Sequence, residues 1–84
     1  MYYVYILQSI GRPDVIYRGY SANLVKRITR HNKGDCKFTR KYKPWRLVCY
    51  FAFADKNIAI SFEKYLKSGS GKAFLKKRFI NKPS

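Results

Sequence analysis

The chain has 84 residues, with 19 Lys plus Arg set against 4 Asp plus Glu, and carries a formal net charge of +15. That length allows one small domain, spanning 1–84, whose core buries only roughly 60% of the surface the unfolded chain exposes. An aromatic fraction of 18% excludes a disordered basic tail, and the longest apolar run, Leu47 to Ala54, falls well short of a membrane span of ~20 residues, so a soluble protein is expected.

Residues Tyr2 to Gln8 are aromatic and β-branched, which predicts a strand. Ile10-Gly11-Arg12-Pro13-Asp14 reads as a hairpin connection into a second, antiparallel strand from Val15 to Ser21. On that strand Tyr17 and Gly19 share one face, while Ile16, Arg18 and Tyr20 take the other. Ser21 to Asn23 supplies N-cap chemistry for a helix over Leu24 to Asn32, with Leu24 and Ile28 four apart and Gly34 as the stop. Asp35 to Pro44 is polar, basic and aperiodic, and is read as a loop. Arg46 to Phe53 runs apolar on both faces, which predicts a central strand. Asp55 caps a second helix with a buried stripe of Ala59, Phe62 and Leu66. Ser68-Gly69-Ser70-Gly71 breaks it, and Lys72 to Ile80 reads as a third helix with Leu75 and Phe79 facing in. The order ββαβαα predicts an α+β domain, a three-stranded antiparallel sheet with helices packed on it.

A surface this rich in Lys and Arg gains affinity for polyphosphates by releasing condensed counterions, so nucleic acid is the expected partner. A membrane surface is not expected, because no long basic helix with an uninterrupted apolar face stands out. Cys36 and Cys49 form no motif, and two Cys with one His do not complete a four-ligand zinc site. No secretory segment follows Met1-Tyr2-Tyr3, which points to the cytoplasm and to free thiols.

Four features carry candidate chemistry. Tyr5 and Tyr17 lie on paired strands, and a favourable register brings them together; against this, most strand tyrosines are packing residues. Arg27 and His31 are four apart on the first helix and, with Lys26 and Arg30, make an anion-binding face or simply a solvated basic one. Glu63 is the only glutamate; it is a natural oxygen ligand for a divalent metal, or a plain helical ion pair with Lys67. The loop Lys37-Phe38-Thr39-Arg40-Lys41-Tyr42-Lys43-Pro44-Trp45-Arg46 interleaves cations with aromatics. Lys37, Arg40, Lys41 and Lys43 suit phosphates and the rings suit exposed bases, while Trp45 is expected in the core.

Taken in order, Tyr3-Val4-Tyr5, Tyr17-Arg18-Gly19, Asn23-Leu24 followed by Arg27, then His31 and Glu63, resemble the GIY-YIG nuclease family. The resemblance runs from Tyr3 to about Lys77 and is closest to the small stand-alone members. It implies metal-dependent hydrolysis of a DNA phosphodiester bond, with one divalent cation, Mg²⁺ or Mn²⁺, on Glu63. It also implies Tyr17 beside the attacking water as a candidate general base, Tyr5 supporting by hydrogen bonding, Arg27 stabilising the charged transition state and His31 relaying a proton. A phenol of pKa ~10 is a weak base at neutral pH unless nearby cations lower that value. Three positions depart from the family pattern: Tyr3 replaces the first glycine, Arg18 replaces an apolar residue, and Tyr20 replaces a common lysine. No residue matches the family's late asparagine, since Asn81 lies too far along.

The expected function is therefore a DNA endonuclease of low sequence specificity that nicks one strand. With no room for a separate recognition domain, its target would be chosen by branched or structured DNA or by a partner protein. The alternatives are a non-catalytic nucleic-acid-binding module of the same fold and a small basic RNA-binding protein. A role in repair or recombination would follow from analogy alone.

Overall fold

The computed structural model describes residues 1–80. Strand β1 (Tyr2–Ser9) leads to β2 (Ile16–Ser21), helix α1 (Leu24–Lys33), strand β3 (Trp45–Phe53), and helices α2 (Lys56–Lys67) and α3 (Gly69–Arg78). The expected ββαβαα order and antiparallel sheet are both present. Inside the connection from Asp35 to Pro44, a single 3-10 turn covers Arg40–Tyr42. Asn81 lies outside the described residues. Among the described residues, no helix is long and apolar enough to cross a membrane.

The sheet order is β2-β1-β3, so the central strand is β1 and not β3, a correction to the sequence reading. The physical reason lies in a β-bulge. Ile6 pairs with Cys49 and Leu7 with Leu47, which leaves Val48 as an extra residue on β3. Below the bulge Trp45 and Leu47 face one side; beyond it Val48, Cys49 and Phe53 pack on the other. An alternating edge strand whose phase slips once thus reads in sequence as apolar on both faces.

Strand β1 divides the core by residue parity. Val4 and Ile6 join Ala59 and Leu66 of α2 and Leu75 of α3 in one cluster. Tyr5 and Leu7 face the opposite way and join Trp45, with Leu24 and Ile28 of α1 against them. Helix α1 therefore covers one face of the sheet, and α2 and α3 the other.

Local chemistry sets the helix ends. The Asn23 side chain accepts from the Lys26 amide at 3.1 Å, and α1 closes in a Schellman motif. There Gly34 takes φ 83°, its amide donating to the His31 carbonyl, while the Asp35 amide donates to that of Arg30. Asp55 accepts from the Asn57 amide at 2.8 Å and the Ile58 amide at 3.3 Å, as its capping role requires. Helix α3 begins three residues earlier than the sequence predicts. Ser68 is a true N-cap, accepting from the Gly71 amide at 3.2 Å, so the Ser-Gly-Ser-Gly stretch opens a helix as well as ending one. A Cβ at Gly71 would sit 1.9 Å from the Tyr65 carbonyl oxygen, which is why glycine is needed where α3 turns back on α2. The inward role expected of Phe79 is only partly met. It caps α3 and packs edge-on against Phe51 and Phe74, yet remains exposed on its outer side.

Candidate active site

The register of the first hairpin places Tyr5 opposite Gly19 and Leu7 opposite Tyr17, so the two tyrosines are diagonal neighbours on the α1 face. Their ring centroids are 6.2 Å apart. His31, in the last turn of α1, reaches down between them, 5.8 Å from the Tyr5 ring and 5.0 Å from that of Tyr17. The expectation that His31 shares an outward basic face with Arg27 is only half right, because the imidazole is buried.

A hydrogen-bonded chain fixes this imidazole. Its Nε2 lies 2.8 Å from the Tyr5 hydroxyl and its Nδ1 lies 2.7 Å from the Thr39 hydroxyl. Thr39 itself points at the Cys36 carbonyl at 3.5 Å. We assign the proton on this basis: Thr39 donates to Cys36 and accepts from Nδ1–H, which leaves Nε2 to accept from the Tyr5 O–H. The electrostatics agree. Burial, then the charges of Arg27 and Arg30, push His31 below its usual value and keep it neutral. Burial, then the Tyr5–Tyr17 interaction, push the Tyr5 phenol well up, with the Arg27 guanidinium opposing. Tyr5 is therefore a protonated donor at neutral pH, and its immediate partner is His31.

Tyr17 is the more accessible phenol. It is half-buried among Tyr5, His31, Phe38 and Trp45, and among the described residues its hydroxyl has no hydrogen-bond partner. It lines an open groove of about 350 Å³ together with Ile16, Arg18, Phe38 and Lys67. Lys67 brings in the last element of the set. Its Nζ is 2.8 Å from a Glu63 carboxylate oxygen, so the i,i+4 ion pair is formed, and Glu63 is the better buried of the two. Helix α2 lies on the far face of the sheet, yet its final turn reaches the groove of Tyr17 around the free edge of β2.

The structure thus brings Tyr5, Tyr17 and His31 into direct contact, with Arg27 beside Tyr5 and Glu63 joined to the groove through Lys67. Lys26 and Arg30 stand exposed on α1, apart from the phenols. Lys37, Arg40, Lys41 and Lys43 are all exposed on the connection to β3. Lys37 and Lys41 flank Phe38 and Tyr42 around a second depression of about 490 Å³, and Lys43 packs over Gly34. Trp45 is buried, as expected, and its indole N–H donates to the Thr39 carbonyl at 3.0 Å.

The model of the GIY-YIG catalytic domain matches residues 1–78. The chain belongs to the GIY-YIG family. It is 33% identical to a UPF0213 protein of Pediococcus pentosaceus, over 95% of this chain and 86% of that one. It is 34% identical to the structure-specific endonuclease subunit SLX1 of Debaryomyces hansenii, over 79% of this chain but only 21% of that longer protein. Among solved structures it is similar to the solution NMR structure of a UPF0213 protein from Bacillus halodurans. That match has 36% identity and a TM-score of 0.55, covering 92% of this chain and 84% of the other.

In this GIY-YIG domain the two name-giving tripeptides lie on adjacent antiparallel strands and meet at one pair, Tyr5 opposite Gly19, and Gly19 has a steric reason. A Cβ there would stand 2.4 Å from both Cζ and Oη of Tyr5 and 2.9 Å from Cε2 of Tyr17. Three further contributors went unrecognised in sequence. Thr39, an ordinary loop threonine by composition, is fully buried and holds the imidazole. Asn32 clamps the start of β3, accepting from the Trp45 amide at 2.6 Å and donating to its carbonyl at 3.3 Å. Lys67, which sequence offered only as the partner of Glu63, is a wall of the groove. Threonine eight residues after the single histidine is the signal nearest to a clue.

The donor set favours one class of metal. Among the described residues no group of three or more His, Cys, Asp and Glu comes together, so a closed zinc-type site is not built. Of the four side-chain carboxylates, Asp14 pairs with Arg12, Asp55 is spent as a helix cap and Asp35 stands exposed just after the α1 cap Gly34, while Glu63 is joined to the groove through Lys67. One carboxylate, with water and substrate phosphate oxygens completing the shell, is the habit of Mg²⁺ and of similar hard ions. The residues present fit such an ion.

Proposed function

We propose that this protein is a divalent-metal-dependent endonuclease that hydrolyses a phosphodiester bond of DNA and nicks one strand. The observation that carries the reading is the contact of Tyr17 with the Tyr5–His31 pair, with Arg27 beside Tyr5, in a GIY-YIG domain with a charge of +15; Glu63 joins the groove of Tyr17 through its ion pair with Lys67. The reaction adds water across one P–O ester bond: the water oxygen bonds to phosphorus, and the departing ester oxygen ends as a hydroxyl. Tyr17 lines the groove and, in its phenolate form, would orient the water and take its proton, while the departing ester oxygen takes a proton from solvent. Tyr5 and His31 are positioning residues, since each spends its polar atoms on the other and on Thr39. The Arg27 guanidinium stabilises charge growing on the phosphate oxygens. Glu63 would hold Mg²⁺ or Mn²⁺, which supplies Lewis-acid stabilisation of the same oxygens when bound. The exposed cations Lys26, Arg30, Lys37, Arg40, Lys41 and Lys43 give affinity for the backbone without base readout, so sequence specificity is low. Similarity to a structure-specific endonuclease subunit supports structured DNA, branched DNA being one such form, as substrate.

Wild type and Glu63→Ala, purified identically, are incubated with supercoiled plasmid and with a branched DNA in Mg²⁺, Mn²⁺ or chelator. Nicking by the wild type alone, abolished by chelator, is the expected result. Equal cutting by both proteins removes Glu63 from the mechanism. Tight binding by both with cutting by neither would establish a non-catalytic binding module instead.

A further inference from the structure

On the α3 side of the free β2 edge lies a larger cleft of about 500 Å³, lined by Pro13, Asp14, Ile16, Arg18, Lys72, Lys76 and Ile80. Three cations from two elements face it, and the carboxylate on its rim, Asp14, is already engaged by Arg12 at 3.3 Å. Arg18 is the unusual member. It points to the α2–α3 face of the sheet, and its Nε is buried with no hydrogen-bond partner among the described residues. Burial pulls its pKa down, the sign of a charge whose desolvation is not repaid by the described residues. An unpaired buried guanidinium N–H is costly to keep unless something outside the chain rewards it. Arg18 also lines the groove of Tyr17, as does Ile16, so the two concavities adjoin, and Arg18 is the cation they share.

We propose that the cleft of Arg18, Lys72 and Lys76 is a second phosphate-binding site, which seats a backbone phosphate of the same nucleic-acid strand next to the one at Tyr17. The strand then runs along the open edge of β2, with Tyr17 at the scissile phosphate and α3 beneath its continuation. Lys72 and Lys76 are one helical turn apart on α3 and therefore present their ammonium groups side by side. The site rests on the nuclease reading only for the meaning of the Tyr17 phosphate; its existence as a phosphate site does not require cleavage.

The test measures binding of a labelled DNA duplex in chelator over a range of salt, for the wild type, the pair Lys72→Gln with Lys76→Gln, Arg18→Met, and Lys56→Gln as an exposed charge control. Thermal melting is recorded alongside. Each neutralised phosphate contributes about 0.9 to the slope of log K against log salt, so loss of this one phosphate in the lysine pair should lower that slope by about 0.9, and Arg18→Met should lower it by part of that amount. Lys56→Gln should leave it unchanged. Arg18→Met should melt at the same temperature as the wild type or higher, because it replaces a half-buried guanidinium, whose Nε has no partner among the described residues, with an apolar chain. Unchanged slopes in the lysine pair overturn the site, as do losses matched by Lys56→Gln. A lower melting temperature for Arg18→Met would make Arg18 structural and remove it from the site. The expected slope losses, found together with no nicking by the wild type in Mg²⁺ or Mn²⁺, would end the nuclease reading and leave the phosphate site standing.

Discussion

One added methyl group at Gly19 tests whether the site depends on the close cross-strand approach. In Gly19→Ala the new Cβ would stand 2.4 Å from Cζ and Oη of Tyr5, where non-bonded atoms rest at about 3.5 Å or more. The phenol must therefore retreat by about 1 Å. It has nowhere to go cheaply, because Tyr5 is fully buried and its hydroxyl is held 2.8 Å from His31. Overpacking a dense core costs about 1–3 kcal/mol. Distorting the buried hydrogen bond adds about 1–3 kcal/mol, and lower chain entropy in the unfolded state returns about 0.4–1 kcal/mol. A net loss of about 2–4 kcal/mol lowers the melting temperature of so small a domain by on the order of 10–20 °C. Gly11→Ala is the matched control, since a Cβ at Gly11 meets nothing within 4 Å. Circular dichroism melts of both variants decide the matter. If Gly19→Ala melts with Gly11→Ala, the steric account of Gly19 is wrong.

Two further outcomes follow from the site. His31 is held below its usual value, so the unfolded chain takes up this proton near pH ~6.5 and the native state only at lower pH. Stability is accordingly full above about pH 6.5 and falls as the pH drops through that point toward the depressed native value. Melts between about pH 7.5 and about pH 5 should show this fall in the wild type and a flatter curve in His31→Gln; parallel curves would refute the assignment of a neutral buried imidazole. Arg27→Ala should reduce turnover by about 100-fold or more while weakening DNA binding far less, as loss of a transition-state contact requires. Equal losses in both would make Arg27 a phosphate contact only.

Much of this fold is legible in the chain because its local signals agree. Asn23, Gly34 and Asp55 mark helix ends where the structure has them, and the aromatic β1 and β2 declare themselves. The order of strands is different in kind. Which of two apolar strands lies in the middle depends on pairing between distant segments, and the bulge at Val48 hides the alternation that would mark β3 as an edge. The Ser-Gly-Ser-Gly stretch misleads for a related reason, because Gly71 answers to the nearby backbone of Tyr65 and not to a loop. At the site, the spacing of Tyr5, Tyr17, Arg27, His31 and Glu63 is visible, but the burial of His31 is not. That burial is created by Thr39 and Trp45, which arrive from a connection without periodic pattern. Arg18 breaks the usual expectation for a half-buried strand position, and only the cleft beside it gives that departure a use.

Because β1 sends even-numbered residues to one cluster and odd-numbered residues to the other, a single strand is shared by two separate tasks. Val4 and Ile6 hold α2 and α3 in place; Tyr5 and Leu7 set the phenol and the floor beneath α1. A slip of one residue would exchange the two sets outright, placing a tyrosine in the aliphatic packing and a valine where the hydroxyl must stand. A change on the aliphatic side is therefore felt by α2 and α3, and a change on the tyrosine side by α1. The chain has no intermediate register in which chemistry is half retained.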